Sequence, residues 1–194
     1  MKEFNKQRFE ALVNECTKWS KDRNIIEGST ASAQSIMLAT ELGELAEGIR
    51  KDNKEAIIDA IGDMIVVLNG MCLQILNVDL KKFSQYVYGT SETQFTLNQD
   101  FAQLGKSTFN FISGIAGSKE MIKHQIQNVI SDLNYICIRL DIPLDECLQH
   151  SYNQIKHKKG IMFNGSFIKE SDKDYTQIAR LVAGAIAPNG NIIQ

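Results

Sequence analysis

The sequence predicts an all-α fold with a four-helix-bundle core made from two helical hairpins. Only two prolines, Pro143 and Pro188, occur in 194 residues, so a long interior lacks the residue that most strongly interrupts helices. Apolar residues recur every three or four positions in the longer segments, as they do on the buried face of a helix. A chain of this length suits one domain with a substantial core, and we expect residues 1–194 to form a single unit.

The N-terminal part is predicted to begin with two helices. Residues 3–22 carry an apolar face at helical spacing, so we expect the first helix there. Residues 23–33 are polar and form a connection, in which Ser29 or Thr30 is a candidate N-cap for the second helix. That second helix is expected to run to about Lys51.

Two pairs of acids lie on the apolar faces of the second helix and of a third helix over 54–76. Glu41 and Glu44 are three residues apart, and Asp59 and Asp63 are four apart, so each pair shares a helical face. Two carboxylates ~4 Å apart repel by ~4 kcal/mol at an effective dielectric constant near 20, so a cation or protonation is needed among them. Oxygen ligands without His or Cys favour Mg²⁺ or Mn²⁺ over zinc. The alternative is an ordinary solvated face.

The segment that holds these acids, GSTASAQSIMLATELGELAEGIRKDNKEAIIDAIGDMIVVL, resembles the MazG-like branch of the all-α NTP pyrophosphatases. This branch is related to dimeric dUTPase and phosphoribosyl-ATP pyrophosphohydrolase. The family's first motif, E-x-x-E, is present as Glu41 and Glu44. Its second motif, E-x-x-D, is incomplete, because Ala60 stands where the family has Glu before Asp63. Asp59, one residue earlier, can reach the same face with a shorter side chain.

The resemblance is best over residues 1–78 and 141–170, and it implies an activity. It implies an Mg²⁺-dependent nucleoside triphosphate pyrophosphohydrolase, with Mn²⁺ as a possible substitute, that forms the monophosphate and pyrophosphate and controls nucleotide pools. A specific dUTPase or dCTPase is the enzymatic alternative, and a metal-binding helical oligomerisation module without turnover is the other. The resemblance also implies a homodimer or larger homo-oligomer. The implied catalytic residues are Glu41, Glu44 and Asp63, the metal ligands are these three with Asp59, and the substrate-binding residues are Asn153, Lys156, Lys159, Gln34 and Trp19.

A second passage, residues 99–141, repeats the pattern of residues 31–78 without its acids. A short helical turn and a polar loop over 80–100 lead into it. The segment ELGE at 41–44 corresponds to QLGK at 103–106 with an offset of 62, and later Lys-Glu, Leu-Asn and Cys matches share an offset of 65. We interpret the passage as a degenerate duplication that packs about a pseudo-twofold axis; chance similarity between helical hairpins is the alternative. At the positions of the four acids the second copy has Gln103, Lys106, His124 and Asn128.

The C-terminal part is predicted to add a helix, a β-hairpin and a tail. Pro143 starts a helix over about 144–159, since proline is tolerated in the first helical turn. Residues 161–169 alternate around an Asn-Gly pair, which is typical of a two-stranded hairpin. The tail, residues 171–194, is expected to form a short helix that breaks at Pro188 and a loose end.

One asparagine and two lysines within 144–170 are the candidate phosphate ligands. Asn153, Lys156 and Lys159 lie three apart, and the family brings Asn and Lys from a similar segment to the triphosphate. Cations near clustered acids suggest that both contact one anionic ligand. Lys158 is interpreted instead as a solvated residue that complements the helix dipole.

Composition argues against several other functions. A net charge of −2 gives no polyanion-binding signature, so nucleic acid is not an expected partner. No P-loop, G-x-S-x-G or G-x-G-x-x-G motif occurs. The four cysteines form no C-x-x-C pair, and no signal peptide or apolar run long enough to span a bilayer is apparent. We therefore expect buried, reduced thiols, no membrane association and a cytoplasmic location.

Overall fold

The computed structural model describes residues 3–87 and 95–184 and is all-α apart from one small hairpin. A 3₁₀ helix, Leu80–Tyr86, follows the fourth helix, and strands β1 (Gly160–Phe163) and β2 (Ser166–Lys169) form an antiparallel pair. The helices are α1 (Lys6–Asp22), α2 (Ile25–Gly28), α3 (Ala31–Arg50), α4 (Lys54–Leu76), α5 (Leu97–Ser113), α6 (Lys119–Leu140), α7 (Leu144–Ile155) and α8 (Tyr175–Gly184).

Capping side chains set the starts of the long helices. Thr30, Asn53 and Ser118 each accept a hydrogen bond from a backbone N–H in the first turn of α3, α4 and α6, which satisfies a donor that the helix itself leaves unpaired. Helices α4 and α6 both end at a residue with positive φ, Asn77 at 55° and Asp141 at 53°. Such left-handed residues stop a helix at a defined point.

Helix α4 is the centre of the fold. It packs against α1, α3, α6 and α7, and the side chains of Ile61, Ile65, Leu68 and Met71 are fully buried. The two hairpins, α3–α4 and α5–α6, meet with α3 beside α5 and α4 beside α6. The predicted four-helix core from two hairpins is therefore present, and α1 and α7 cover its other side.

The second hairpin matches the first in burial as well as in order. At the offset of 65, α4 and α6 begin at equivalent residues, Lys54 and Lys119. Core positions pair with core positions, since Ile61 and Ile126 are both buried, as are Cys72 and Cys137. All four cysteines are buried and free, in agreement with the prediction.

Two predictions about the connections need correction. The connection over 23–33 is not wholly irregular, because it contains the single-turn helix α2. Helix α7 ends at Ile155 rather than near Lys159, because the guanidinium of Arg23 binds the backbone carbonyls of Lys156 and Lys158 and holds the chain in a turn. The predicted break at Pro188 lies outside the described residues.

The expectation that no apolar segment is long enough to cross a bilayer is wrong for helix α4. Over its 23 residues it contains an 18-residue window with a mean hydropathy of 1.8, which suffices by length and composition. Inside the protein, 61% of that window is buried. The apolar length therefore arises because neighbouring helices surround α4 on several sides, and the described residues hold one such helix.

Candidate functional site

A cavity opens between α1, α3, α4, the end of α7 and the β-hairpin. Its volume is about 390 Å³, within the range of about 300–1,000 Å³ usual for small-molecule sites. Apolar residues make most of the wall, and two acids and two lysines contribute the charges. The lining residues are Trp19, Ser20, Ile25, Ala33, Gln34, Ile36, Met37, Glu41, Asp63, Val66, Val67, Gly70, Ile155, Lys158, Gly165, Ser166, Phe167 and Lys169.

Glu41 is the most unusual charged group of the cavity. Glu41 carries a carboxylate but is only 7% exposed, because it lies on α3 among core residues. Burial and, to a smaller extent, the nearby carboxylates of Asp63, Glu44 and Asp59 together raise its pKa to about 7. The predicted acid pairs from α3 and α4 therefore act on one another through space. Lys158 opposes them but does not restore the usual pKa, so this cluster has an excess of negative charge.

Helix α7 holds the two aspartates of α4. The hydroxyl of Ser151 lies 3.2 Å from the backbone carbonyl oxygen of Asp59 and within hydrogen-bonding reach of the Asp63 side chain, so its single proton is available to either acceptor. The Asp59 carboxylate accepts a 2.8 Å hydrogen bond from Gln154. Burial raises the pKa of Asp63, and its hydrogen bond from Ser151 lowers it in part.

Gly62 explains how α7 can come so close to these aspartates. A Cβ at this position would lie 2.1 Å from the Ser151 hydroxyl and 2.3 Å from the Cys147 carbonyl oxygen. No side chain fits at these separations, so the backbone of α7 lies directly on α4 between Asp59 and Asp63. The glycine thus determines which α7 groups reach the acids.

The four acids fit a divalent cation by donor type. Carboxylate oxygens are the ligands that Mg²⁺ prefers, and the raised pKa of Glu41 shows where positive charge would be most favourable. Among residues 3–87 and 95–184, however, no three His, Cys, Asp or Glu side chains stand close enough to form a complete ligand set. Glu44 is exposed on α3 and Asp59 is turned toward Gln154, which accounts for the open arrangement.

The predicted basic residues are distributed differently from the expectation. Asn153, Lys156 and Lys159 are exposed, and the Lys156 ammonium donates to Asn153 at 2.8 Å. None of these three lines the cavity, and the early end of α7 removes the helical stripe that their spacing predicted. Lys158, interpreted from the sequence as solvated, is half-buried and lines the cavity together with Glu41 and Asp63.

The cavity also has aromatic lining residues, Trp19 and Phe167. Trp19 is half-buried, and its ring meets the ring of Phe167 edge to face with centroids 5.9 Å apart. The guanidinium of Arg23 lies over Trp19 at 4.9 Å from the ring centroid, a favourable cation–π distance. The indole N–H of Trp19 is buried and has no acceptor among the described residues. Gln34, the other predicted substrate residue on this wall, donates to Ser29 at 3.0 Å.

Three contributors to this cavity were missed at the sequence level: Lys158, Arg23 and Phe167. Lys158 was assigned to a solvated helix end because the helix was expected to be longer. Arg23 fell in a segment interpreted as a connection. Phe167 had a usable signal, since a lone hairpin must pack on something, but the sequence does not say on what.

Comparisons with known proteins leave the family undetermined. The chain is 42% identical over 57 residues to an uncharacterized 18.2 kDa protein from the rep-hol intergenic region of Haemophilus phage HP1. The match covers 29% of this chain and 35% of the phage protein, so the chain spans about a third of the length of the relative it matches. No family model matches the chain. No solved structure matches it either.

Proposed function

We propose that the protein is a divalent-cation-dependent nucleoside triphosphate pyrophosphohydrolase. One observation carries the proposal: Glu41 and Asp63 line the same cavity as Trp19 and Phe167, with Lys158 beside the acids. A ligand that spans this cavity would place an anionic part near Lys158 and a bound cation, and a flat apolar part near the aromatic rings. A nucleotide has these two parts. The resemblance of residues 28–68 to MazG-like pyrophosphatases favours the same activity.

The residues divide the chemistry between them. Glu41, Glu44 and Asp63, with Asp59 in place of the acid missing at Ala60, would hold Mg²⁺ or Mn²⁺. The cation would neutralise phosphate oxygens and lower the pKa of a bound water. Water attacks the α-phosphorus, the bond from that phosphorus to the bridging oxygen breaks, and pyrophosphate leaves.

Side chains around the acids supply proton transfer and orientation. A carboxylate of the cluster that is not engaged by the cation accepts the proton of the attacking water. Ser151 keeps Asp63 in place through its hydrogen bond. Lys158 contributes a fixed positive charge on the same wall, where it favours an anionic ligand.

The first experiment identifies the products. The protein is incubated with each standard deoxynucleoside and ribonucleoside triphosphate and Mg²⁺ in ¹⁸O-labelled water. We expect monophosphate and pyrophosphate, with the label in the monophosphate, because attack at the α-phosphorus leaves the new oxygen there. Label in orthophosphate, with a diphosphate as the other product, would contradict the assignment. Chelation of the cation should stop the reaction.

Two carboxylates of α3 give a matched pair of variants. Glu41→Gln removes the buried charge in the cavity, whereas Glu47→Gln removes an exposed charge that pairs with Arg50 and Lys51 outside it. Glu41→Gln should reduce turnover by about 10³-fold, and Glu47→Gln should leave it unchanged. Equal effects of the two substitutions would contradict a site at Glu41.

The second candidate is a cation-binding helical protein without turnover. Ala60 in the incomplete motif and the open arrangement of the acids favour it. This protein would bind Mn²⁺ in a manner that depends on Glu41 but would release no pyrophosphate from any triphosphate. Calorimetric titration with Mn²⁺, beside the product assay, separates the two candidates. A specific dUTPase or dCTPase would show turnover with one base in the same panel.

The predicted homo-oligomer belongs to this proposal as well. Ile36 is 70% exposed and Met37 is 45% exposed, and both lie on α3 at the edge of the cavity. Exposed apolar side chains beside a site favour cover by a second copy. Sedimentation should give a dimer or larger assembly that Ile36→Lys weakens, and a monomer at all concentrations would contradict it.

A further inference from the structure

The β-hairpin forms one wall of the cavity although it lies outside the acidic helices. Its lining residues are Gly165, Ser166, Phe167 and Lys169. Asn164 and Gly165 form its turn with φ of 49° and 78°, which fits the left-handed pair that a tight hairpin requires. The hairpin thus presents a short, defined edge to the cavity instead of a long loop.

Two glycines permit close contacts of this hairpin, Gly160 within the hairpin and Gly28 between the hairpin and α2. A Cβ at Gly160 would lie 2.3 Å from the Ile168 carbonyl oxygen and 2.6 Å from the Phe167 ring. A Cβ at Gly28 would lie 2.9 Å from the Met162 side chain. Because these positions lack side chains, the Phe167 ring lies over its partner strand and β1 lies against α2.

Arg23 links the segment between α7 and β1, residues 156–159, to the aromatic residue Trp19. Its guanidinium donates to the carbonyl of Lys158 at 2.7 Å, to that of Lys156 at 3.3 Å and to that of Trp19 at 3.3 Å. The same group stacks over the Trp19 ring. One side chain therefore fixes the end of α1, the connection that carries Lys158 and the approach to β1.

We propose that the hairpin is the base-selecting wall of the cavity, with Phe167 as its specificity-determining residue and Arg23 as the positioning residue that aligns it with Trp19. The ligand class is the nucleobase of a nucleotide, so the inference rests on the proposed function. A flat base gains from contact with rigid aromatic rings. The buried indole N–H of Trp19 without an acceptor and the polar groups of Ser166 and Gln34 at the same wall supply hydrogen bonding that differs from base to base.

Trp19 itself provides the measurement, because it is the only tryptophan of the chain. Deoxynucleoside monophosphates carrying A, G, C, T or U are titrated separately into the protein with chelator present, and Trp19 emission is corrected with a free tryptophan analogue for absorbance. We expect saturable quenching and unequal dissociation constants for the five bases. No response, or equal constants for all five, would overturn the inference.

Phe167→Leu tests the wall while keeping an apolar side chain in place. We expect about 10-fold weaker binding of the preferred monophosphate, which is typical of losing an aromatic contact to a base. The dissociation constants of monophosphates with different bases should also become more alike. Phe109→Leu is the control, since Phe109 is 57% exposed on α5 and does not line the cavity. Unchanged base ratios in Phe167→Leu would overturn the assignment.

Arg23→Lys tests positioning, because lysine keeps the charge but cannot donate to three carbonyls with one planar group. The ratio between the dissociation constants of the five monophosphates should fall as in Phe167→Leu. The emission of the free protein should shift, because the Trp19 environment changes. Gly160→Ala, which keeps Phe167 but displaces its ring, should act in the same direction. A lower melting temperature with an unchanged base ratio would make Arg23 merely structural.

The outcomes for the wall and for the reaction are separable. If no triphosphate is hydrolysed but the monophosphates bind with a preference that depends on Phe167, the proposed reaction is wrong and base selection by the hairpin is supported. If triphosphates are hydrolysed and the base preference does not depend on Phe167, the proposed reaction is supported and base selection by the hairpin is wrong.

Discussion

Each of the two helical hairpins consists of two long helices, but they differ in how a buried acid is compensated. In α5–α6, Asp100 is 4% exposed and forms a 2.5 Å ion pair with Arg139. In α3–α4, Glu41 is 7% exposed, and among the described residues Lys158 is the cation that lowers its pKa, whereas three carboxylates raise it.

This difference separates structural acids from functional ones. A buried carboxylate is tolerable when a cation and hydrogen bonds compensate its lost hydration. Asp132 of α6 follows that rule in part, since burial raises its pKa while hydrogen bonds from Ser107 and Gln103 lower it. The first hairpin keeps acids whose repulsion is incompletely compensated within the protein. Perturbed groups that line a cavity are candidates for chemistry.

The largest expected difference between the hairpins is in turnover. Glu41→Gln should reduce turnover by about 10³-fold, because one charged group at a reacting centre is worth about 10²–10³-fold. Gln103→Ala, at the equivalent position of α5, should stay within a few-fold of the wild type, because Gln103 is exposed and does not line the cavity. Steady-state pyrophosphate release measures both, and equal losses would contradict a single active hairpin.

Asp59→Asn is expected to have the next largest effect. Asp59 is the acid that stands one residue before Ala60, and its carboxylate is held by Gln154 at 2.8 Å. Turnover should fall by at least about 10²-fold and Mg²⁺ affinity should weaken, because the variant keeps the shape but not the charge. Near wild-type activity would show that three acids suffice.

Arg139→Met should show the reverse pattern in the second hairpin. Removal of the guanidinium leaves the buried Asp100 carboxylate without that partner, and breaking such a pair costs about 3–5 kcal/mol of unfolding free energy. Turnover at low temperature should stay unchanged. Urea unfolding measures the loss, and a loss of activity without a loss of stability would contradict the division of roles.

The pH dependence of stability should reveal the acid cluster directly. Because the pKa of Glu41 rises from 4.5 to about 7 on folding, the folded state binds more protons between these values and stability falls as pH rises through them. With chelator, the contribution of Glu41 is about 3 kcal/mol at most, and it is present below pH 4.5 and lost above about 7.

A cation and a variant make this measurement specific. Mg²⁺ should stabilise the protein more at pH 8 than at pH 5, because it competes with protons for the same carboxylates. Glu41→Gln should flatten the pH dependence in chelator. A wild-type profile in chelator that matches that of Glu41→Gln would contradict the raised pKa.

The smallest effects are expected from glycine-to-alanine substitutions, which add one methyl group at a chosen position of either hairpin. Gly62→Ala should cost about 1–3 kcal/mol of stability through overpacking and lower turnover, since the new methyl group meets Ser151. Gly43→Ala and Gly105→Ala, equivalent to each other in α3 and α5, meet nothing within 4 Å. Each should stabilise by about 0.5–1 kcal/mol, as thermal unfolding would show.

Much of the fold could be predicted because its causes are local. The start of α4 at Lys54 follows from the cap at Asn53 and the apolar spacing after it, and both are visible in the sequence. The β-hairpin follows from Asn164-Gly165. The acids could be grouped in pairs because each pair lies within one helix.

Other features depended on contacts between distant residues. The end of α7 at Ile155 is set by Arg23, 133 and 135 residues away from the carbonyls it binds. No periodicity within 144–159 records that contact, so the helix was predicted too long and Lys158 was placed in solvent.

By itself, the sequence determined the helices, the two hairpins and which helices carry the acids, because capping, spacing and turn chemistry act over a few residues. Only the tertiary structure decided that Glu41 and Asp63 share a cavity with Trp19, Lys158 and Phe167. That meeting requires α7 to lie on Gly62 and the hairpin to lie on Gly28. Both contacts depend on steric fit between segments far apart in the chain, which local sequence patterns do not encode.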